Sequence, residues 1–131
     1  MSTNKVDKEQ AQNELEDFFR EMDIDMERED PASQKHIDNL RRIAVDAIMA
    51  GRVTFTEKNE PVIIPWRAEV KPFTMREPDG SNLMAGGLEE NELKAILKVV
   101  AEMAQVTSGT LAKLKNPEIT ILRVFYTFFT A

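Results

Sequence analysis

Residues Asn116 to Ala131 constrain this chain most: after Asn116-Pro117 come Ile119, Ile121, Leu122, Val124, Phe125, Tyr126, Phe128 and Phe129, with Glu118 and Arg123 the only charges. Four of the nine aromatic residues fall in the last seven positions. Free ends are ordinarily polar and frayed, so a segment this apolar has to be covered by the core, by another subunit or by a partner.

The rest of the chain is long enough to provide cover. At 131 residues the expectation is one domain that removes roughly two thirds of its unfolded surface from water without covalent staples. There is no cysteine, which excludes a disulfide framework, a thiolate zinc site and a cysteine nucleophile, and fits a reducing cytoplasm. The opening Met1-Ser2-Thr3-Asn4-Lys5 leads into no apolar stretch, and nowhere do about eighteen apolar residues run uninterrupted. A soluble, unexported protein with no membrane partner is expected.

Charge is unevenly placed. Residues 1–30 hold eleven acidic against four basic side chains, a balance of −7, whereas the remaining 101 residues hold twelve and thirteen, a balance of +1. The acidity belongs to the N-terminal segment, and it argues against nucleic acid as a partner. Within that segment Ala11, Leu15, Phe18, Phe19, Met22 and Met26 recur at three- and four-residue spacings, which predicts an amphipathic helix from about Lys8 to Arg28. Its acidic face is either a solvated surface, the simpler reading, or a dock for a basic protein. Residues 1–29 are expected to be dispensable for folding and to tune association with a basic partner.

Asp30-Pro31 marks a boundary, with Asp30 as N-cap and Pro31 in the first helical position. The second helix carries Ile37, Leu40, Ala44, Ala47 and Ile48 on one stripe, and Gly51 is placed to end it. From Arg52 the period shortens to two. Val53 and Phe55 alternate with Thr54 and Thr56, residues Glu57 to Pro61 turn, and Val62-Ile63-Ile64 return, which predicts a hairpin. The run Val70 to Met75 contains Pro72, which cannot donate to a ladder and assigns this strand to an edge. Glu77 to Ser81 reads as loop; Ser81 can cap a short turn through Leu83 and Met84, and Gly86-Gly87 breaks it. Glu89 to Gln105 is the clearest helix, with Leu93, Ile96, Leu97, Val100, Met103 and Ala104 on one face and Ser108-Gly109 expected to end it. The same Ser108-Gly109 starts a short helix that carries Leu111 and Leu114. Asn116 as N-cap and Pro117 as first residue decide for a helix over a strand in the last segment.

The expected fold is therefore α+β and predominantly helical: an acidic helix (1–30), a second helix (31–51), a small antiparallel hairpin or three-strand element (52–76) and three C-terminal helices (77–131), all in one domain. No constellation in it carries chemistry. His36 is the single histidine, without partners for a triad or a zinc site, and is expected at the surface. Asp23-x-Asp25-x-Glu27 resembles a calcium loop only superficially, because Arg28 and Gln34 stand where glycine and glutamate are required. Asp79-Gly80-Ser81 and Gly86-Gly87 lack the lysine of a phosphate loop, and Arg41-Arg42 is too small for a nucleic-acid footprint. No catalytic, metal or cofactor residues are assigned. Seven methionines suit either core filling, the stronger expectation, or an adaptable binding surface.

Gly51-Arg52-Val53-Thr54-Phe55, a turn, Val62-Ile63-Ile64-Pro65, and then Phe73-Thr74-Met75-Arg76-Glu77-Pro78-Asp79-Gly80-Ser81-Asn82-Leu83 resemble the tail assembly chaperones of long noncontractile-tailed, lambda-like bacteriophages. That family commonly places a threonine-hydrophobic strand before Arg-Glu-Pro-x-Gly-x-x-Leu. The likeness continues through a helix with a small-residue end, the turn Val106 to Leu111 with Lys113-Leu114, and a closing helix with aromatics at Phe125 to Phe129, so that it spans about Ala47 to Ala131. Two departures are Asn116-Pro117-Glu118, where many relatives have an aspartate, and the acidic N-terminal helix.

The resemblance implies a non-enzymatic chaperone, absent from the mature virion and acting in the host cytoplasm, that coats the tape measure protein and helps recruit the major tail protein. It also implies a longer product made by ribosomal frameshifting near the C-terminus, this chain being similar to the shorter one. A protein-binding surface is expected to include Leu83, Val124, Phe125, Phe128 and Phe129, together with Leu15, Phe18 and Met22, and to support self-association or client binding as well as the fold. The rival expectation is a structural head-tail or tail component.

Overall fold

Asp7 starts the first helix by accepting a hydrogen bond from the backbone N–H of Gln10 at 2.8 Å, so that α1 (Lys8–Glu21) begins one residue later. The computed structural model describes residues 6–66, 70–76, 92–111 and 113–130. It contains α2 (Pro31–Met49), β1 (Val53–Phe55), β2 (Pro61–Ile63), β3 (Phe73–Thr74), α3 (Glu92–Ala104), α4 (Ser108–Leu111) and α5 (Asn116–Phe129). This is the expected order of two helices, a small antiparallel sheet and three further helices.

Helix α1 stops short of the expected Arg28. Asp23 takes a left-handed φ of 53°, its N–H bonds to Arg20 O at 3.2 Å, and Ile24 N–H reaches back to Phe19 O at 2.8 Å. This paired closure satisfies the last carbonyls and turns the chain out of the helix. Met26 is nonetheless buried, as its spacing implied, but from an irregular segment. Gln34 of α2 holds that segment: its side-chain oxygen accepts from Arg28 N–H at 2.7 Å, and its amide donates to Met26 O at 3.4 Å.

The boundary at Asp30-Pro31 is as expected. Asp30 accepts from both the side chain and the backbone N–H of Ser33, and these two bonds hold its carboxyl below the ordinary aspartate range. Helix α2 ends on Gly51, whose φ of 76° allows Arg52 N–H to bond Ala47 O at 2.9 Å. The same closure ends α3 at Gln105 (φ 57°), the last residue expected for this helix, with Val106 N–H on Ala101 O at 3.0 Å. Ser108 opens α4, as expected of the short helix that follows.

The sheet has the order β1-β2-β3, every neighbour antiparallel, which leaves β3 at an edge. Val53 pairs with Ile63, and Ile63 with Phe73, so one row of three buried residues crosses the sheet on its core face. Thr54, Val62 and Thr74 form the half-buried row on the other face. The period-2 alternation of the sequence thus becomes two distinct faces. Pro61 opens β2 rather than closing the turn; the first position of a strand tolerates its missing donor. Asn59 (φ 60°) turns the hairpin, with Thr56 Oγ1 accepting from the N–H groups of Lys58 and Glu60.

Helix α2 packs against both α1 and α5, and β1 lies against α2. At the junction Phe18 stands edge-on or tilted to Phe55, Phe125, Phe128 and Phe129 at ring-centroid distances of 5.4 to 6.4 Å, and Phe19 meets Phe128 at 5.0 Å. The acidic helix thus covers the apolar C-terminal segment. Glu89 to Asn91, Ser81, Met84 and Gly86-Gly87 lie outside the described residues. Among those described, no helix is long and apolar enough to cross a membrane.

Candidate functional site

The residues expected to form a protein-binding face are mostly interior. Leu15, Phe18, Val124, Phe125 and Phe128 are all buried, and Phe18, Phe125 and Phe128 are 0 % exposed. The physical reason is mutual: α1 and α5 each carry an apolar stripe, and each stripe is the nearest cover for the other. These five side chains are unavailable to a partner unless the fold opens. Met22 and Phe129 are half-buried at the edge of the core. Leu83 lies outside the described residues, as does most of the Arg76-to-Leu83 motif.

Helix α5 starts one residue earlier than a cap at Asn116 predicts, and Glu118 has a part in that start which sequence reasoning overlooks. The N-cap is Lys115, in extended conformation, with Asn116 and Pro117 already helical. Lys115 has no side-chain acceptor. Glu118, 0 % exposed, supplies one instead: Oε1 accepts from Lys115 N–H at 2.9 Å, and Oε2 accepts from the backbone N–H of Trp66 at 2.6 Å. A carboxylate receiving two backbone donors is a charge-assisted clamp. It ties the segment after β2 to the first turn of α5, across 52 positions of sequence.

The clamp holds Trp66 at the surface. Trp66 is 43 % exposed and is the only exposed large hydrophobic side chain among the described residues. The Arg52 guanidinium lies over its ring, 4.1 Å from the centroid; such stacking is worth about 0.5–1 kcal/mol at an exposed site. Arg52 precedes β1 and Trp66 comes after β2, and the hairpin register, extended by Ile64 N–H on Arg52 O at 2.9 Å, brings the two together. Beside them is an open groove of about 320 Å³ between the end of α2 and the start of α5, with Ile43, Ala47, Ala50, Pro117 and Ile121 among its walls.

Removing the clamp should show its role. In Glu118→Ala two backbone donors lose their acceptor; at about 1–3 kcal/mol per stranded buried donor, and with both sites only partly buried, a loss of about 2–4 kcal/mol is expected in denaturant melts. Glu118→Gln should lose about half of that, because either amide orientation sets an NH2 against an N–H. The emission of Trp66, the single tryptophan, should shift to the red in Glu118→Ala before unfolding. An unchanged melt and spectrum would show that the clamp is incidental.

A second concavity of about 700 Å³ lies between α1 and α2. It is crossed by the Arg41–Glu16 ion pair, and Arg41 also sits 5.7 Å from the Phe19 ring centroid. His36 is exposed on α2 beside Arg28 and Ser33. Among the described residues, no group of three or more acidic or histidine side chains is placed to hold a metal ion. Of the methionines, Met26 and Met75 fill the core, while Met22 and Met49 lie at its edge. Comparison with protein-family models, with curated proteins and with solved structures finds no match.

Proposed function

We propose that this chain is a phage tail assembly chaperone that binds the tape measure protein and keeps it soluble until the tail tube forms around it. The observation that carries the reading is the order of elements along the resemblance: the Gly51-to-Phe55 strand, its return through Pro65, the Phe73 strand running into Arg76-Glu77-Pro78-Asp79-Gly80, then helix, short helix and aromatic closing helix. A holdase of this kind needs adhesive surface rather than reactive groups, since a long helical client exposes repeated apolar stretches. On this reading the protein works in the host cytoplasm, self-associates along its client, is left out of the virion, and meets the major tail protein through a longer frameshifted form. Neither nucleic acid nor a membrane is a partner.

Co-expression with the tape measure protein of the same phage tests the proposal. The client, insoluble alone, should appear in the soluble fraction with many copies of this chain per client, as read by light scattering after size exclusion. A client that stays insoluble would overturn the reading. A fixed one-to-one complex would favour a structural tail component instead.

A further inference from the structure

We infer that α1 is exchangeable between two copies of this chain: the segment joining α1 to α2 straightens into helix, carries α1 out of its own seat and lays it in the identical seat of a second copy. The inference stands apart from the chaperone reading, because it rests on the seat of α1 and on residues 22–30 alone.

The joining segment is folded against its own sequence. Residues 20–28 contain neither glycine nor proline, and Met22 and Met26 continue the spacing of Leu15, Phe18 and Phe19, which is why helix is expected as far as Arg28. The chain nevertheless leaves the helix after Glu21 and turns at Asp23 with a φ of 53°, a conformation that glycine takes freely and aspartate only at some cost. Of residues 22–30 Met26 alone is buried, and the Gln34 hydrogen bonds to Met26 and Arg28 hold the segment there. A conflict of this kind between local preference and the observed turn marks a place where two conformations compete. Asp30-Pro31 sets the far limit of straightening, because the residue before a proline is pushed out of helical geometry.

Exchange conserves what α1 buries. Ala11, Leu15, Phe18 and Phe19 are at most 4 % exposed in their seat, where Phe125 meets Phe18 and Phe128 meets Phe19. A second copy offers the same seat, so reciprocal transfer leaves these contacts unchanged. The balance falls to protein concentration and to residues 22–30, which gain helical hydrogen bonds and lose the burial of Met26. Straightening also places Met22 and Met26 on the helix face of Leu15 and Phe18, and two straightened segments that meet share these adaptable side chains. Charge opposes the meeting. Asp23, Asp25, Glu27, Glu29 and Asp30 against Arg28 give residues 22–30 a balance of −4, and salt favours the exchanged pair by screening it.

Cross-linking on the full-length chain tests the exchange. Glu16 of α1 and Arg41 of α2 form an ion pair between partly exposed side chains, and the chain has no cysteine. Glu16→Cys and Arg41→Cys, mixed in equal amounts at high concentration and treated with a short bismaleimide, are joined to each other where the α1 of one chain lies on the α2 of the other. The expected result is a covalent dimer whose link peptide mapping places between these two positions, rising with salt alongside the dimer in sedimentation. Asp23→Gly favours the turn and Asp23→Ala the straight helix, and both remove the same charge, so their difference reads the turn alone. Dimerisation is expected to be at least about tenfold tighter in Asp23→Ala than in Asp23→Gly, since two joining segments change state in each dimer, with far-ultraviolet melts confirming that both variants remain folded. A monomer in Asp23→Ala at every concentration and salt, a dimer without a link between positions 16 and 41, or equal dimerisation of the two Asp23 variants would each overturn the inference.

Discussion

Deleting residues 1–29 is expected to abolish cooperative unfolding, not merely to strip an acidic appendage. Leu15, Phe18, Phe19 and Met26 are all at most 5 % exposed, and burial of each such side chain is worth about 1.5–3 kcal/mol. Together they bring about 6–12 kcal/mol, an upper figure because unfolded chains are already partly collapsed, against a typical total of about 5–15 kcal/mol. The deletion would also uncover Phe125 and Phe128, now 0 % exposed, along with Phe55 and Phe129. A contiguous aromatic surface of that kind aggregates. Far-ultraviolet melts and binding of a hydrophobic dye to the truncated chain check this. A sharp melt close to that of the full chain, without dye binding, would show that α1 is an appendage after all.

The reversal shows which parts of this molecule local chemistry encodes. Asp30-Pro31 and Gly51 act within a few residues of themselves, as N-cap, first helical position and left-handed stop, and all three do what their residue types dictate. The alternation of Val53 and Phe55 with threonines is equally local, and β3, which begins just after Pro72, lies at an edge of the sheet. The stop at Asp23 is not. It is no glycine, and like Gln105 it accepts a left-handed φ because the two hydrogen bonds that close the helix end, and the packing of the chain just beyond it, outweigh the local cost.

The candidate site was legible in part. The apolar character of α1 and α5 is plain in sequence, but whether a stripe meets its own chain or another depends on how helices pack, and here each stripe is the complement of the other. Glu118 looks like an ordinary charge in the sequence. Its role arises from Trp66, 52 positions earlier, and a contact that distant leaves no periodic trace. Counted from Asn116, the cap that the sequence offers, Glu118 stands two residues on rather than the three of a capping box, so that signal was absent too. Trp66 itself had no signal beyond being the only tryptophan.

Phe128→Asp is expected to unfold the protein, whereas Phe129→Asp, one position away, should not. Phe128 is 0 % exposed, with its ring 5.0 Å from Phe19 and 5.5 Å from Phe125. Losing such a ring costs about 3–5 kcal/mol through cavity and transfer effects, and a carboxylate left among aromatic rings adds several more. The sum approaches or exceeds the stability of an ordinary domain. Phe129 is half-buried at the edge of the core and meets Phe18 at 5.4 Å; an aspartate there can turn toward water, so about 1–2 kcal/mol should be lost with helicity retained. Thermal melts by circular dichroism and size exclusion separate the two outcomes. If Phe128→Asp melted within about 1 kcal/mol of the parent but eluted as a smaller species, that face would belong to an interface between chains rather than to the core. If both variants behave as expected, any self-association has to use surface outside the aromatic junction, or an exchange of α1 that keeps the junction intact.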